Sequence, residues 1–122
     1  MDIAKTFDRR SLIRTGLAAT ISGLTFHGHP TDRLPNLVCF GVDGVEAEPI
    51  LLALDQHGIA IHSGSACSSE SLEPSPVLMA MGANADHALR VSVGWSTTDT
   101  DIDRLLTTLP GIIDRMRALR TP

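Results

Sequence analysis

The chain has 122 residues, of which 43% are hydrophobic, enough for one domain with a core and too few for two. A net charge of −4, with three Phe, one Trp and no Tyr, argues against a nucleic-acid surface and against binding to an anionic membrane. No apolar run approaches the ~20 residues that a membrane span needs. We therefore expect residues 1–122 to form a single domain.

Two features bear on the compartment. The cysteines, Cys39 and Cys67, lack C-x-x-C spacing, which indicates neither a zinc site nor a disulfide framework. Arg9 and Arg10, followed by a short apolar run, superficially resemble a twin-arginine export signal. Because that run is brief and passes directly into a predicted strand, we expect a cytoplasmic protein.

The first third of the chain predicts a helix and two strands. Residues 2–19 favour a helix because apolar residues recur on one side of it: Ile3, Phe7, Ile13 and Leu17. A strand begins at residues 24–26. The run at residues 36–42 is apolar on both faces, which is typical of a central strand, and Cys39 within it is interpreted as a small buried hydrophobe.

His27 and His29 flank Gly28 in a turn-like stretch after the first strand. Two histidines at this spacing suggest a metal site only if further ligands converge on them, and no third candidate is visible nearby. A loop position without a metal is therefore the preferred interpretation. Beyond the second strand, residues 49–57 predict a helix that ends at Gly58, and residues 58–61 predict a strand.

Residues 62–75 carry Cys67 in a run of Ser, Gly and Ala with no apolar period, which predicts a loop. This loop ends at Ser75, which can accept a hydrogen bond from the first free N–H groups of a helix. Pro76 follows at the first helical position, where proline costs nothing. The thiol is therefore expected on a tether between a strand and a capped helix over residues 76–81.

The last third predicts a strand and a long helix. Arg90 and Ser92 alternate with Leu89, Val91 and Val93, so the two sets lie on opposite strand faces. Residues 97–101 are typical of a helix N-terminus. An apolar stripe follows along one side of the helix: Ile102, Leu105, Leu106, Leu109, Ile112, Ile113, Met116 and Leu119. Pro110 lies inside this stripe and is expected to kink or split the helix.

These elements together favour an α+β class. We expect a two-layer domain in which a small, largely antiparallel sheet packs with helices.

The loop and its surroundings also match a known family. Residues 63–69, 72–75 and 77–78 resemble the long active-cysteine loop of cysteine desulfurases, NifS/IscS-like enzymes of the class V aminotransferase group. Further matching pieces follow the family order: residues 28–30, 33–36, 44–46, 51–52, 54, 89–94 and 97–98. The resemblance covers nearly the whole chain, but only the C-terminal small domain of the family.

The resemblance implies residue roles. Family members use pyridoxal phosphate to labilise the C–S bond of L-cysteine, and a protein thiolate takes the sulfur as a persulfide, leaving alanine. Cys67 matches that cysteine, and Arg90 matches the arginine that binds the substrate carboxylate. A planar guanidinium suits this task because it can donate two parallel hydrogen bonds to a carboxylate. The remaining loop positions that match are Ser63, Gly64, Ser65, Ala66, Ser68 and Ser69. No metal is implied, and whether His62 or His87 assists Cys67 is left open.

The family's cofactor-binding residues belong to its large domain, which this sequence does not contain. The single lysine, Lys5, lies on the N-terminal helix outside any matching motif. We therefore expect this chain alone neither to bind pyridoxal phosphate in the family manner nor to desulfurate cysteine. Expected partners are a chain or domain that carries the cofactor, L-cysteine, a sulfur acceptor such as a cluster scaffold or sulfur shuttle, and a second copy in a homodimer.

Two other functions stay open. One is a stand-alone sulfur carrier or interaction module, and the other is an inactive remnant. Retention of Arg90 favours the desulfurase domain, because a sulfur carrier needs the cysteine but has no use for a carboxylate-binding arginine.

Overall fold

The computed structural model describes residues 3–32, 34–64 and 75–120. These residues form four α-helices, four strands and one 3-10 turn at Ala85–His87. The helices are α1 Ile3–Thr20, α2 Ala47–Gln56, α3 Pro76–Ala80 and α4 Asp99–Arg120. The strands are β1 Leu24–Phe26, β2 Leu37–Val42, β3 His62–Ser63 and β4 Ala88–Ser92.

The four strands form one antiparallel sheet in the order β1-β2-β4-β3. β2 is a central strand, as its apolar sequence predicts, and β4 lies beside it. Their register places Phe40 opposite Leu89 and Cys39 opposite Arg90. The predicted α+β class with a small antiparallel sheet is confirmed.

One face of the sheet carries the core. Helices α1, α2 and α4 bury their apolar sides against alternate residues of β2 and β4, including Phe40 and Leu89, which are fully buried. The predicted apolar side of α1 is confirmed at Ile13 and Leu17, while the side chains of Ile3 and Phe7 lie outside the described part of the chain. The α4 stripe is confirmed except at Leu119, which is 86% exposed because it lies in the final turn, beyond the core.

One prediction about a boundary is wrong, and a second is wrong in one of its two alternatives. Residues 58–61 form no strand. Ile59 donates its backbone N–H to the carbonyl of Leu54, so this segment still satisfies the C-terminal end of α2. Pairing with β4 begins only at His62. The sequence predicts that Pro110 kinks or splits α4; the helix is not split and continues through Pro110, while the kink stays a prediction. Interior proline costs roughly 3 kcal/mol, and buried Leu109 and Ile112 on either side hold the helix against the core.

The predicted helix starts are confirmed by their hydrogen bonds. Ser75 Oγ accepts from the Leu78 N–H at 3.4 Å at the start of α3. At the start of α4, Thr98 Oγ1 accepts from the Asp101 N–H at 3.1 Å, and the Asp101 carboxylate accepts from the Thr98 N–H at 2.9 Å. This reciprocal pair is a capping box.

Within the described ranges, no helix is both long and apolar enough to cross a bilayer.

We expect Thr98→Ala to lower the free energy of unfolding by about 1 kcal/mol, because the first turn of α4 loses its cap. Thr107→Ala is the matched control, since the Thr107 hydroxyl donates only to carbonyls inside the same helix and its loss should change stability by less than about 0.5 kcal/mol. Urea unfolding of both variants measures the difference. Equal effects would contradict the capping role.

Candidate active site on the open sheet face

The sheet face opposite the core holds the polar side chains of the candidate site. Because Leu89 and Val91 point into the core, the alternation of β4 places Arg90 on the other face, as the sequence predicts. A cavity of about 230 Å³ lies on that face. Apolar side chains from Leu34, Leu37, Val77 and Met81 line it. Its polar side chains are His27, Cys39 and Arg90.

Arg90 lies at the centre of the sheet, with Cys39 opposite it on β2 and His62 opposite it on β3. It is half-buried, and its Nε is a buried donor with no hydrogen-bond partner among the described residues. A buried donor without a partner costs about 1–3 kcal/mol. The described residues therefore leave the Nε donor of Arg90 unsatisfied.

Cys39 is half-buried rather than fully buried, because it lies on the open face and lines the cavity. The interpretation of Cys39 as a buried hydrophobe is therefore wrong. Burial raises the pKa of the Cys39 thiol, and the positive charge of Arg90 acts in the opposite direction.

The predicted cysteine loop is described only at its two ends. Gly64 donates its N–H to the Ala88 carbonyl at 3.0 Å, and Ser75 is buried where it caps α3. Both ends adjoin the cavity, which is lined by Gly64 and by Leu78 in the first turn of α3. Ser63 lies on β3 beside Gly64. The other predicted site residues lie outside the described part of the chain: Ser65, Ala66, Cys67, Ser68 and Ser69.

The two histidines considered as helpers contact the backbone. His87 Nδ1 lies 2.9 Å from the Val42 carbonyl, which ties the turn before β4 to β2. His62 Nδ1 lies 2.6 Å from the Ser63 carbonyl. Neither is among the described residues that line the cavity of Arg90. The described contacts of both histidines are therefore with backbone carbonyls, and Cys67 lies outside the described part of the chain.

Sequence reasoning missed His27, which it placed in a loop without a role. The His27 N–H donates to the Cys39 carbonyl at 2.9 Å, which extends the β1–β2 ladder by one residue. Gly41 makes room for the ring, since a Cβ there would lie 3.1 Å from His27 Nε2. That nitrogen is buried without a partner, and burial lowers the pKa of His27. The signal was available: continuing the alternation past Phe26 puts His27 on the open face.

The described residues do not fit a site for pyridoxal phosphate. The cofactor needs a lysine amine, and Lys5 lies on α1, which packs on the core side of the sheet, opposite Arg90. Within residues 3–32, 34–64 and 75–120 there is also no group of three or more His, Cys, Asp or Glu side chains that could hold a metal ion.

Comparison with known proteins gives the family. Residues 8–105 match the family described as "Aminotransferase class-V". The chain belongs to this family. It is 48% identical over 96 residues to cysteine desulfurase IscS 1 of Archaeoglobus fulgidus, a match that covers 76% of this chain and 25% of the relative. It is 43% identical over 113 residues to a cysteine desulfurase of Cereibacter sphaeroides, covering 90% of this chain and 29% of the relative.

Solved structures agree on the fold. A NifS-like protein from Rickettsia africae superposes with a TM-score of 0.77 at 22% identity, covering 93% of this chain and 29% of that one. The apo structure of a cysteine desulfurase from Thermococcus onnurineus gives a TM-score of 0.72 at 18% identity, covering 92% of this chain and 26% of that one. This class V chain therefore spans less than a third of the length of these relatives.

We expect Gly64→Ala to lower the free energy of unfolding by about 1–3 kcal/mol, the range for overpacking. A Cβ at Gly64 would clash with the Leu78 side chain and lie 2.9 Å from the Ala88 Cβ. Gly94→Ala is the matched control, because a Cβ there meets nothing within 4 Å. Urea unfolding should separate the two variants. Equal stability would mean that Gly64 is not packed against α3.

We expect the stability to depend on the protonation of His27. Because burial lowers the pKa of His27 from 6.5 in the folded chain, the unfolded chain takes up a proton at higher pH than the folded chain does. The free energy of unfolding should therefore fall as pH drops through about 6.5 and below. His27→Gln should show a smaller fall in urea unfolding measured at several pH values. Parallel pH profiles for the two proteins would contradict this.

Proposed function

We propose that this chain is the cysteine-bearing domain of a cysteine desulfurase and works with a large domain supplied elsewhere. Arg90 binds the carboxylate of L-cysteine, and Cys67 takes its sulfur. The observation that carries the proposal is the position of Arg90 on the open face, beside both described ends of the Cys67 loop. Arg90 is half-buried there, and its Nε has no partner among the described residues.

Arg90 suits a carboxylate because its guanidinium is always charged and offers two parallel N–H donors. The strand holds its backbone rigidly, since β4 pairs with β2 on one side and with β3 on the other. The carboxylate of an amino acid in the cavity would also supply an acceptor for the Arg90 Nε, which has none among the described residues. The arginine therefore sets the orientation of the substrate relative to the loop.

Cys67 acts as nucleophile. Its thiolate attacks the sulfur of L-cysteine, so that the C–S bond breaks, a new S–S bond forms on Cys67, and the carbon skeleton takes a proton and leaves as alanine. A large domain that binds pyridoxal phosphate would provide an electron sink for the carbon skeleton. An unperturbed thiol with a pKa of about 8.5 is only a few per cent ionised near neutral pH, so Cys67 depends on positioning by its loop.

The persulfide then passes to an acceptor protein in the cytoplasm. Cluster scaffolds, sulfur shuttles and tRNA-thiolating enzymes are the acceptor classes that we propose. A loop fixed at both ends suits this role, because the sulfur has to face the substrate in one step and the acceptor in the next.

Exposed apolar side chains support docking of this face on the large domain or on a second copy of the chain. Leu34, Val77 and Met81 are 64%, 68% and 51% exposed, and all three line the cavity of Arg90. Apolar side chains grouped around a candidate site are typical of a contact surface. Docking there would enclose Arg90 and exclude water from the ion pair with the substrate.

A stand-alone sulfur carrier or interaction module is the second candidate, and an inactive remnant is the third. The half-buried position of Arg90, whose Nε has no partner among the described residues, favours the desulfurase domain over both. A carrier requires only the loop, and a chain that had lost its function would gain stability by replacing Arg90 with an uncharged residue.

We expect the purified chain to produce no alanine or sulfide from L-cysteine and pyridoxal phosphate by itself. Alanine production should appear when this chain replaces its 43%-identical counterpart in the cysteine desulfurase of Cereibacter sphaeroides, because the rest of that relative contributes a large domain. Alanine and sulfide assays, with the visible absorbance of the cofactor as a check on loading, measure the outcome.

Two variants of the chimera separate the roles. Cys67→Ser should abolish sulfide release while leaving cofactor absorbance unchanged, and Arg90→Ala should raise KM for L-cysteine by at least about tenfold, the effect of losing a charge-assisted contact. A chimera that binds the cofactor but makes no alanine would contradict the proposal. So would alanine production by the chain alone.

A further inference from the structure

We propose that Cys39 is a site of mixed-disulfide formation with small disulfides that carry a carboxylate, such as cystine, and that Arg90 is the group that selects them. Cys39 was not part of the predicted site, and the proposed desulfurase reaction does not use it. The inference rests on the cavity that the two side chains share.

The sheet register brings Cys39 and Arg90 together. They are opposite each other in the β2–β4 pair, and both lie on the open face because their neighbours Phe40 and Leu89 are buried in the core. Side chains opposite each other on one sheet face have Cβ atoms about 4.5–5.5 Å apart. The thiol is therefore within reach of any small molecule whose carboxylate pairs with the guanidinium.

The surroundings of Cys39 favour reaction with a disulfide that binds in the cavity over reaction with one that does not bind there. Burial raises the pKa of its thiol, so little thiolate is present at neutral pH and unselected reagents react slowly. The ionisable side chains that line the cavity, among the described residues, are His27, Cys39 and Arg90. Burial also lowers the pKa of His27, so Arg90 supplies the lasting positive charge there. Arg90 therefore attracts an anionic disulfide into the cavity beside Cys39, whereas a neutral disulfide gains no such attraction.

The exchange balances without any other reactant. The Cys39 thiolate attacks one sulfur of the disulfide, its S–S bond breaks, and one half leaves as a thiolate that takes up the proton released by Cys39. The other half stays on Cys39 with its carboxylate on Arg90. At about 230 Å³ the cavity accommodates one such half. The adduct covers the guanidinium, so it blocks carboxylate binding by Arg90 until a thiol reduces it.

The test compares two disulfides on the Cys67→Ser chain, in which Cys39 is the remaining thiol. Dithiodiglycolate carries a carboxylate at each end, and hydroxyethyl disulfide is neutral and of similar size. The chain has a net charge of −4, so an ordinary surface thiol should react more slowly with the dianion. We expect the reverse at Cys39: adduct formation, followed by intact mass, at least about tenfold faster with dithiodiglycolate, the effect of one charge-assisted contact.

Arg90→Gln should abolish this preference, and Arg90→Lys, which keeps the charge but loses the fork, should restore part of it. Circular dichroism confirms that the variants fold, and a thiol should remove the adduct. Equal or faster reaction with hydroxyethyl disulfide, or no adduct on Cys39, would overturn the inference. The test involves neither Cys67 nor pyridoxal phosphate, so its failure leaves the proposed desulfurase role standing, and failure of that role leaves this inference standing.

Discussion

The structure depends on the alternation of β4 between a buried and an open face. Leu89 and Val91 enter a core formed with α1, α2 and α4, and this burial fixes the strand in register. A shift of one residue would place Arg90 in that core, where an unpaired charge is prohibitive. The same hydrophobic packing that stabilises the domain therefore determines which face Arg90 occupies and which residue lies opposite it. The site is a direct consequence of the sheet register.

The open face shows signs of serving something outside the described residues. Arg90 Nε and His27 Nε2 are buried with no partner in the part of the chain that the structure describes, and apolar side chains at the cavity rim are more than half exposed. A domain optimised only for its own stability would satisfy those nitrogens and cover those side chains. Because this class V chain spans less than a third of its cysteine desulfurase relatives, a large domain is the partner that we propose for this face.

Much of the fold followed from the sequence because its signals are local. The alternation around Arg90, the serine cap at Ser75 and the capping box at Thr98 each depend on a few neighbouring residues, and all three are confirmed. The continuous α4 was not predictable in this way, since the packing that carries it through Pro110 comes from distant residues. The alternation past Phe26 places His27 on the open face, but the burial of its Nε2 was not predictable, because it depends on the absence of a side chain at Gly41 on the neighbouring strand. Cys39 was misjudged because an apolar strand sequence does not show that one of its faces stays open. The role of Cys67 itself still rests on resemblance.

The central claim is that Cys67 receives sulfur from an amino acid held by Arg90, and the mass of Cys67 after turnover tests it most directly. The chimeric desulfurase would be mixed with L-cysteine, quenched by alkylation and digested, and the peptide carrying Cys67 would be weighed. The account predicts one additional sulfur on that peptide, and its loss in the Arg90→Ala variant at a limiting concentration of L-cysteine. Unmodified Cys67 in a chimera that still forms alanine would contradict the account, because sulfur would then leave the substrate without passing through this residue.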